Sequence, residues 1–194
     1  LGAATSYSFL HGASQPSDMV GQAMALGLTG IGIADRNTVA GVVRAHKALR
    51  EFREDAQAEG IELPPFRLAV GARLVFVDGT PDIFAYPTTR YGWGRLTRLL
   101  SRGNLRALKG DCILSLDDLL TFHQDLLFIV LPQSTSTPQR PHPKPAKYFD
   151  DEPAPALRLV QPPGLPALLE RLTLRAPDRV WLGAAMRRAG YDAR

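Results

Sequence analysis
The chain has 194 residues, 45% apolar and 22% charged, the balance of one folded domain with a sizeable core. No apolar run approaches the roughly 18 residues of a membrane span and no leader pattern is visible, so no membrane partner is expected. The single cysteine, Cys112, rules out an internal disulfide framework and fits a cytoplasmic location, while the formal charge of +4 leans towards acidic partners such as nucleic acid.

Residues 1–7 read as a short buried strand. Ser14, Gln15, Pro16 and Ser17 signal a helix start, with Ser17 as the cap and Asp18 in the first turn. Met19, Val20, Ala23, Met24 and Leu26 supply its apolar face, and Gly27 ends it. Residues 28–34 are a continuous apolar run of strand length, as in a parallel sheet buried on both faces. Residues 39–57 form an amphipathic helix whose inner side is Val42, Val43, Ala45, Ala48, Leu49 and Phe52.

Residues 66–70 are the next strand. Residues 74–77 and 83–86 flank Asp78, Gly79, Thr80 and Pro81 as a hairpin or as neighbouring strands. A helix follows from 89 to about 102, ended by Gly103, and a short one over 115–123 begins at Ser115. Residues 126–131 are a strand. Ten of the sixteen prolines lie between 132 and 166, so 132–163 reads as a Pro-rich, extended and mobile insertion. Residues 165–175 are helical, 179–182 a strand and 184–189 a short helix. Strands alternating with helices predict an α/β fold with a mainly parallel sheet, which puts functional side chains at the carboxyl ends of strands.

Four groups of residues resemble the PHP (polymerase and histidinol phosphatase) domain. They are the run from Tyr7 through His11 and Gly12 to Ser14; Ala25-Leu26-Gly27-Leu28; Asp35-Arg36-Asn37; and Val42-Val43-Arg44-Ala45-His46. Gly71-Ala72-Arg73-Leu74, Asp78-Gly79-Thr80-Pro81, Tyr86-Pro87-Thr88 and the stretch from Trp93 to Gly103 are similar to the PHP domain that opens C-family bacterial DNA polymerases of the error-prone, translesion branch. So are Lys109-Gly110-Asp111-Cys112 and Leu116-Asp117-Asp118-Leu119-Leu120. The resemblance covers nearly the whole chain outside the insertion. It implies a single PHP domain over 1–194, the front of a longer polymerase. It also implies a distorted (β/α)7 TIM-like barrel, incomplete at its carboxyl end. Active relatives hold metal ions at the strand ends and hydrolyse phosphoesters, in some polymerases as 3′–5′ proofreading.

In active relatives the first strand carries His-x-His; the matching positions here are Gly2 and Ala4. The acidic ligand expected before Gly12 is replaced by His11, the Asp-His pair becomes Asp35-Arg36, and the Glu expected after Gly71 is replaced by Arg73. Glycine, alanine and guanidinium offer no side-chain ligand. The two arginines put permanent positive charge where a cation would sit and could pair with Asp35. His11 and Asp35 remain as residual candidates for a weak one-metal site; the plainer reading makes them a loop residue and a structural acceptor. No metal or other cofactor is expected in this domain, Mg belonging to the polymerase domain outside it.

Arg95, Arg98, Arg102, Arg106 and Lys109 recur at spacings of three and four, with Arg90 just before. On a helix they make a basic stripe that can contact DNA phosphates or another polymerase domain. Tyr91 and Trp93 can stack on bases, although Trp93 is expected to be buried against the sheet. His46, His123, His142 and Cys112 join no constellation. The reading is therefore a non-catalytic PHP domain of an error-prone DNA polymerase, supporting the polymerase core and contacting DNA. Its partners would be the remaining polymerase domains and DNA. The alternatives are a residual metal-dependent phosphoesterase or 3′–5′ exonuclease, and an interaction module for damage-tolerance proteins.

Overall fold
The structure, a computed structural model, describes residues 1–9, 11–132 and 164–184. Its elements run α1 (Pro16–Ala25), β1 (Gly30–Arg36), α2 (Val42–Ala58), β2 (Arg67–Leu74), β3 (Ile83–Pro87), α3 (Arg90–Leu105), α4 (Leu116–Thr121), β4 (Leu126–Val130), α5 (Leu165–Arg175) and β5 (Val180–Leu182). The expected helix over 184–189 and nearly all of the Pro-rich insertion lie outside the described residues.

The strands form one sheet in the order β1-β2-β3-β4-β5. β1 pairs with β2 and β4 with β5 in parallel, whereas β3 is antiparallel to both neighbours. The sheet is therefore mixed, not mainly parallel, and among the described residues it is open, not closed into a barrel. Connection length explains the mixture. β2 and β3 are joined by residues 75–82, too short for the dozen or more residues that a parallel crossover needs. Two helices, α3 and α4, separate β3 from β4, and a pair of helices returns the chain to the end it left. One helix, α2 or α5, precedes each parallel partner.

Local chemistry sets most boundaries. Pro16 at the first position of α1 presets its φ, and Gln15 before it is extended (ψ 147°), so Gln15, not Ser17, is the N-cap residue. Thr89 caps α3 through the Gly92 amide. Ser115 and Asp118 make a reciprocal capping box on α4. Residues 74–77 do not form a separate strand; β2 runs unbroken to Leu74, and Asn37 and Val75 exchange hydrogen bonds just past the ends of β1 and β2. The first residues form an isolated bridge at Ala3 beside Ile33, not a full strand. Gly103 does not end α3. It lies buried inside the helix, where a Cβ would come within 2.6 Å of Cys112 Sγ and Leu114 Cδ2. A glycine there lets the helix approach the segment before α4.

The core lies on one face of the sheet. Ile33 meets Val20, Ala23, Ala45 and Leu49 of α1 and α2. Ala72, Leu74, Ile83, Ala85, Leu126, Phe128 and Val130 meet α3, α4 and α5 through Leu96, Leu99, Leu119, Leu168 and Leu172. Each fully buried leucine contributes about 1.5–3 kcal/mol. Strand alternation sends the intervening residues to the other face: Gly32, Ala34 and Arg36 of β1, Gly71 and Arg73 of β2, Phe84 and Tyr86 of β3, and Ile129 of β4. No helix among the described residues covers that face. Two members of the expected inner side of α2 are not inside: Val43 is 73% exposed, and Phe52 is partly exposed where it lies against Gly21 of α1.

Candidate functional site
The carboxyl ends of β1 and β2 bring the sequence-derived positions together. Asp35 is one residue from the end of β1 and only 1% exposed. Its Oδ1 accepts from the Thr5 amide at 2.7 Å and from Ser8 Oγ at 2.6 Å, and its Oδ2 accepts from Thr5 Oγ1 at 2.8 Å. Ser8 Oγ also accepts from the Arg36 amide at 2.9 Å. Thr5 and Ser8 are themselves buried. A carboxylate taken from water needs such donors, and these three occupy most of its lone-pair directions. Sequence reading missed Thr5 and Ser8, because a hydroxyl carries no spacing signal of its own.

The two arginines stand elsewhere. Arg36 and Arg73 are register partners, so they share one face of the sheet, while the strand alternation turns Asp35 to the other. Arg73 pairs with Asp82 instead of Asp35, its Nε 2.7 Å and its terminal nitrogen 2.6 Å from Asp82 Oδ2. Gly2 has φ +82°, a backbone region that L side chains rarely adopt, and a Cβ there would lie 2.7 Å from Phe84 Cζ. Its amide donates to the Tyr86 hydroxyl at 2.9 Å. Burial pushes the Tyr86 phenol up, an effect only partly offset by that hydrogen bond. His11 is exposed on the turn that follows Ser8, its amide donating to Ser8 O.

These residues do not fit a metal ion. Gly2 and Ala4 have no donor, Gly2 has no room for one, and Arg73 fills its position with a cation already paired. Asp35 is engaged by Thr5 and Ser8. Among the described residues no group of three or more His, Cys, Asp and Glu side chains is placed to hold an ion.

The basic stripe divides into two sets. Arg95 stacks over the Phe122 ring at 4.6 Å from its centroid, lies 5.9 Å from that of Tyr91, and donates to Thr121 O at the end of α4. Arg102 and Arg106 converge on the buried Asp118, at 3.2 and 2.8 Å. Asp118 also accepts from the Ser115 amide and hydroxyl. Arg98 and Lys109 are exposed and make no ion pair or hydrogen bond among the described residues, and Arg90 is likewise exposed. Because α3 stops at Leu105, Arg106 is its C-cap and Lys109 lies beyond it.

Cys112 sits between these clusters. Burial first, then the Asp118 charge, pushes its thiol up to about 12, so it is protonated and unreactive at neutral pH. His123 Nδ1 contacts Leu120 O at 2.7 Å, and His46 is exposed on α2. Trp93 is half-buried, beside Leu68 and Val70 of β2. His142 lies outside the described residues.

A family profile for the PHP domain matches residues 3–140. Error-prone DNA polymerase 1 of Rhizobium meliloti (strain 1021) is 46% identical over 192 residues, which cover 99% of this chain and 14% of that protein. Error-prone DNA polymerase of Rhodopseudomonas palustris (strain BisB5) is 43% identical, with 100% and 15% covered. The chain thus spans about one seventh of the length of these relatives. A solved structure described as a metal-dependent phosphoesterase from Bifidobacterium adolescentis matches at 23% identity and TM-score 0.33, covering 64% of this chain and 42% of that one; so low a score supports no inference.

If Asp35 is a structural acceptor, Asp35→Ala strands the buried Thr5 amide and lowers stability by about 3 kcal/mol, whereas Asp35→Asn, which keeps the Oδ1 acceptor, loses less. Urea denaturation of the three proteins checks this order. Added zinc or manganese leaves the wild-type midpoint unchanged; a metal-dependent rise in the wild type, absent in Asp35→Asn, would make Asp35 a ligand.

Proposed function
The chain belongs to the PHP domain family, and from that membership we propose that it is a non-catalytic PHP domain of an error-prone DNA polymerase, retained for support of the polymerase core. The observation that carries this reading is Asp35, whose oxygens are engaged by Thr5 and Ser8 instead of facing open ligand space. Arg73 and Gly2 reinforce it, one by charge and one by lack of room. Loss of 3′–5′ hydrolysis suits a polymerase that extends past mismatched or damaged bases, because proofreading would remove what it adds. The sheet face that no described helix covers, where Phe84 and Ile129 are only partly buried, and the exposed β5 edge, with Trp181 48% exposed, support closure of a barrel by further strands of the longer chain.

DNA contact in this reading falls to Arg98 and Lys109, with Arg90 nearby, since Arg95, Arg102 and Arg106 serve the packing of α3 on α4. The contact is to phosphates and carries no sequence preference.

Two measurements on the longer protein test these statements. Purified without chelator and supplied with manganese, it should show no 3′–5′ digestion of a mismatched primer and no stoichiometric zinc or manganese bound to this domain. Digestion abolished by Asp35→Ala would refute the non-catalytic reading. Replacing both Arg98 and Lys109 by alanine should flatten the dependence of log affinity for DNA on log salt by about 2, each phosphate contact being worth about 0.9. An unchanged slope places DNA elsewhere.

A further inference from the structure
Val43, which periodicity assigns to the interior, and Trp93 meet at one groove. Val43 projects from α2 with most of its surface exposed, and Trp93 on α3 is only half-buried. Between the two helices, Leu68 and Val70 of β2 are incompletely covered. The resulting cavity is about 500 Å³, with a floor of Val42, Val43, Leu68 and Val70 and with Trp93 beside it. His46, Lys47 and Arg50 line it from α2, and no acidic side chain does. An open apolar groove with a cationic edge has the layout of a recognition surface, an apolar centre within a polar rim.

We propose that this groove seats a polypeptide segment from elsewhere in the longer polymerase chain, an apolar stretch flanked by carboxylates. The proposal rests on reading the chain as one domain of such a polymerase. The relatives it matches are about seven times longer, so most of the polypeptide lies outside these residues. The cations can meet a new partner. Lys47 and Arg50 now pair with Glu51 and Glu54 at 3.3 and 3.4 Å, as exposed one-turn pairs that exchange at little cost. The floor favours polypeptide over single-stranded nucleic acid: four of its side chains are aliphatic, whereas bases stack on aromatic faces and Trp93 is the one aromatic residue of the lining.

The test uses the full-length polymerase with Val43→p-benzoylphenylalanine, a position exposed enough to accept the change without unfolding. Ultraviolet crosslinking followed by peptide mapping should join position 43 to a segment outside residues 1–194 whose apolar core is bordered by Asp or Glu. Adding Lys47→Glu and Arg50→Glu should cut the yield about fivefold, the size of a lost charge complementarity. A crosslink confined to residues 1–194, a crosslink to DNA, no crosslink, or a yield indifferent to the charge reversal overturns the proposal. Primer extension by the same preparation reports separately on the polymerase reading, so failure of one is not mistaken for failure of the other.

Discussion
A carboxylate cannot remain buried without something to answer its charge, and at Asp35 the answer comes from the chain itself. Three donors from Thr5 and Ser8 close on its oxygens. That knot ties the first residues to the end of β1. The Ala3 amide and carbonyl bond to Gly32 O and the Ala34 amide, and the turn through Ser8 folds back beneath Arg36. There is no room for a side chain at Gly41, where a Cβ would come within 2.8 Å of Asp35 Oδ2. The end of the sheet is thus held together by hydrogen bonds.

The two faces of the sheet divide the remaining chemistry. The helix-covered face carries the apolar core and Asp35; the other, which no described helix covers, carries Arg36, Arg73 and the aromatic rings of β3. Arg36 and Arg73 are register partners on neighbouring strands, and the charge of Arg73 is answered by Asp82. A second charge centre lies behind α3, where Asp118 gathers Arg102, Arg106 and the Ser115 cap. The same carboxylate closes a helix end, pins a neighbouring helix and raises the Cys112 pKa. Much of what reads as a basic stripe is in this way internal structure.

How much could be read from the amino-acid order follows from which forces are local. The helices and strands were legible because burial imposes a period of 3.6 or 2 on the sequence, and α5 falls on the residues the pattern predicts. That Gly2 and Ala4 carry no side-chain donor was legible from identity alone. Strand direction was legible only in part: the hairpin reading around Asp78-Gly79-Thr80-Pro81 matches the antiparallel pairing of β2 with β3, whereas the antiparallel placing of β4 depends on a pair of helices that leaves no mark within a strand. Gly103 misled because the same residue serves as a helix stop and as a point of close packing. Val43 misled for a related reason, since periodicity finds a helix's apolar face but not whether another element covers it. The pairing of Arg73 with Asp82, nine residues away, was settled by the β2–β3 register.

The most direct test of the account is paramagnetic. Titrating manganese into the isotopically labelled protein would broaden the amide resonances of residues close to any bound ion. A hydrogen-bonded, ion-free Asp35 predicts that the amides of Thr5, Ser8 and Arg36 stay as sharp as those of the distant core. Selective broadening of those three at stoichiometric manganese would contradict it.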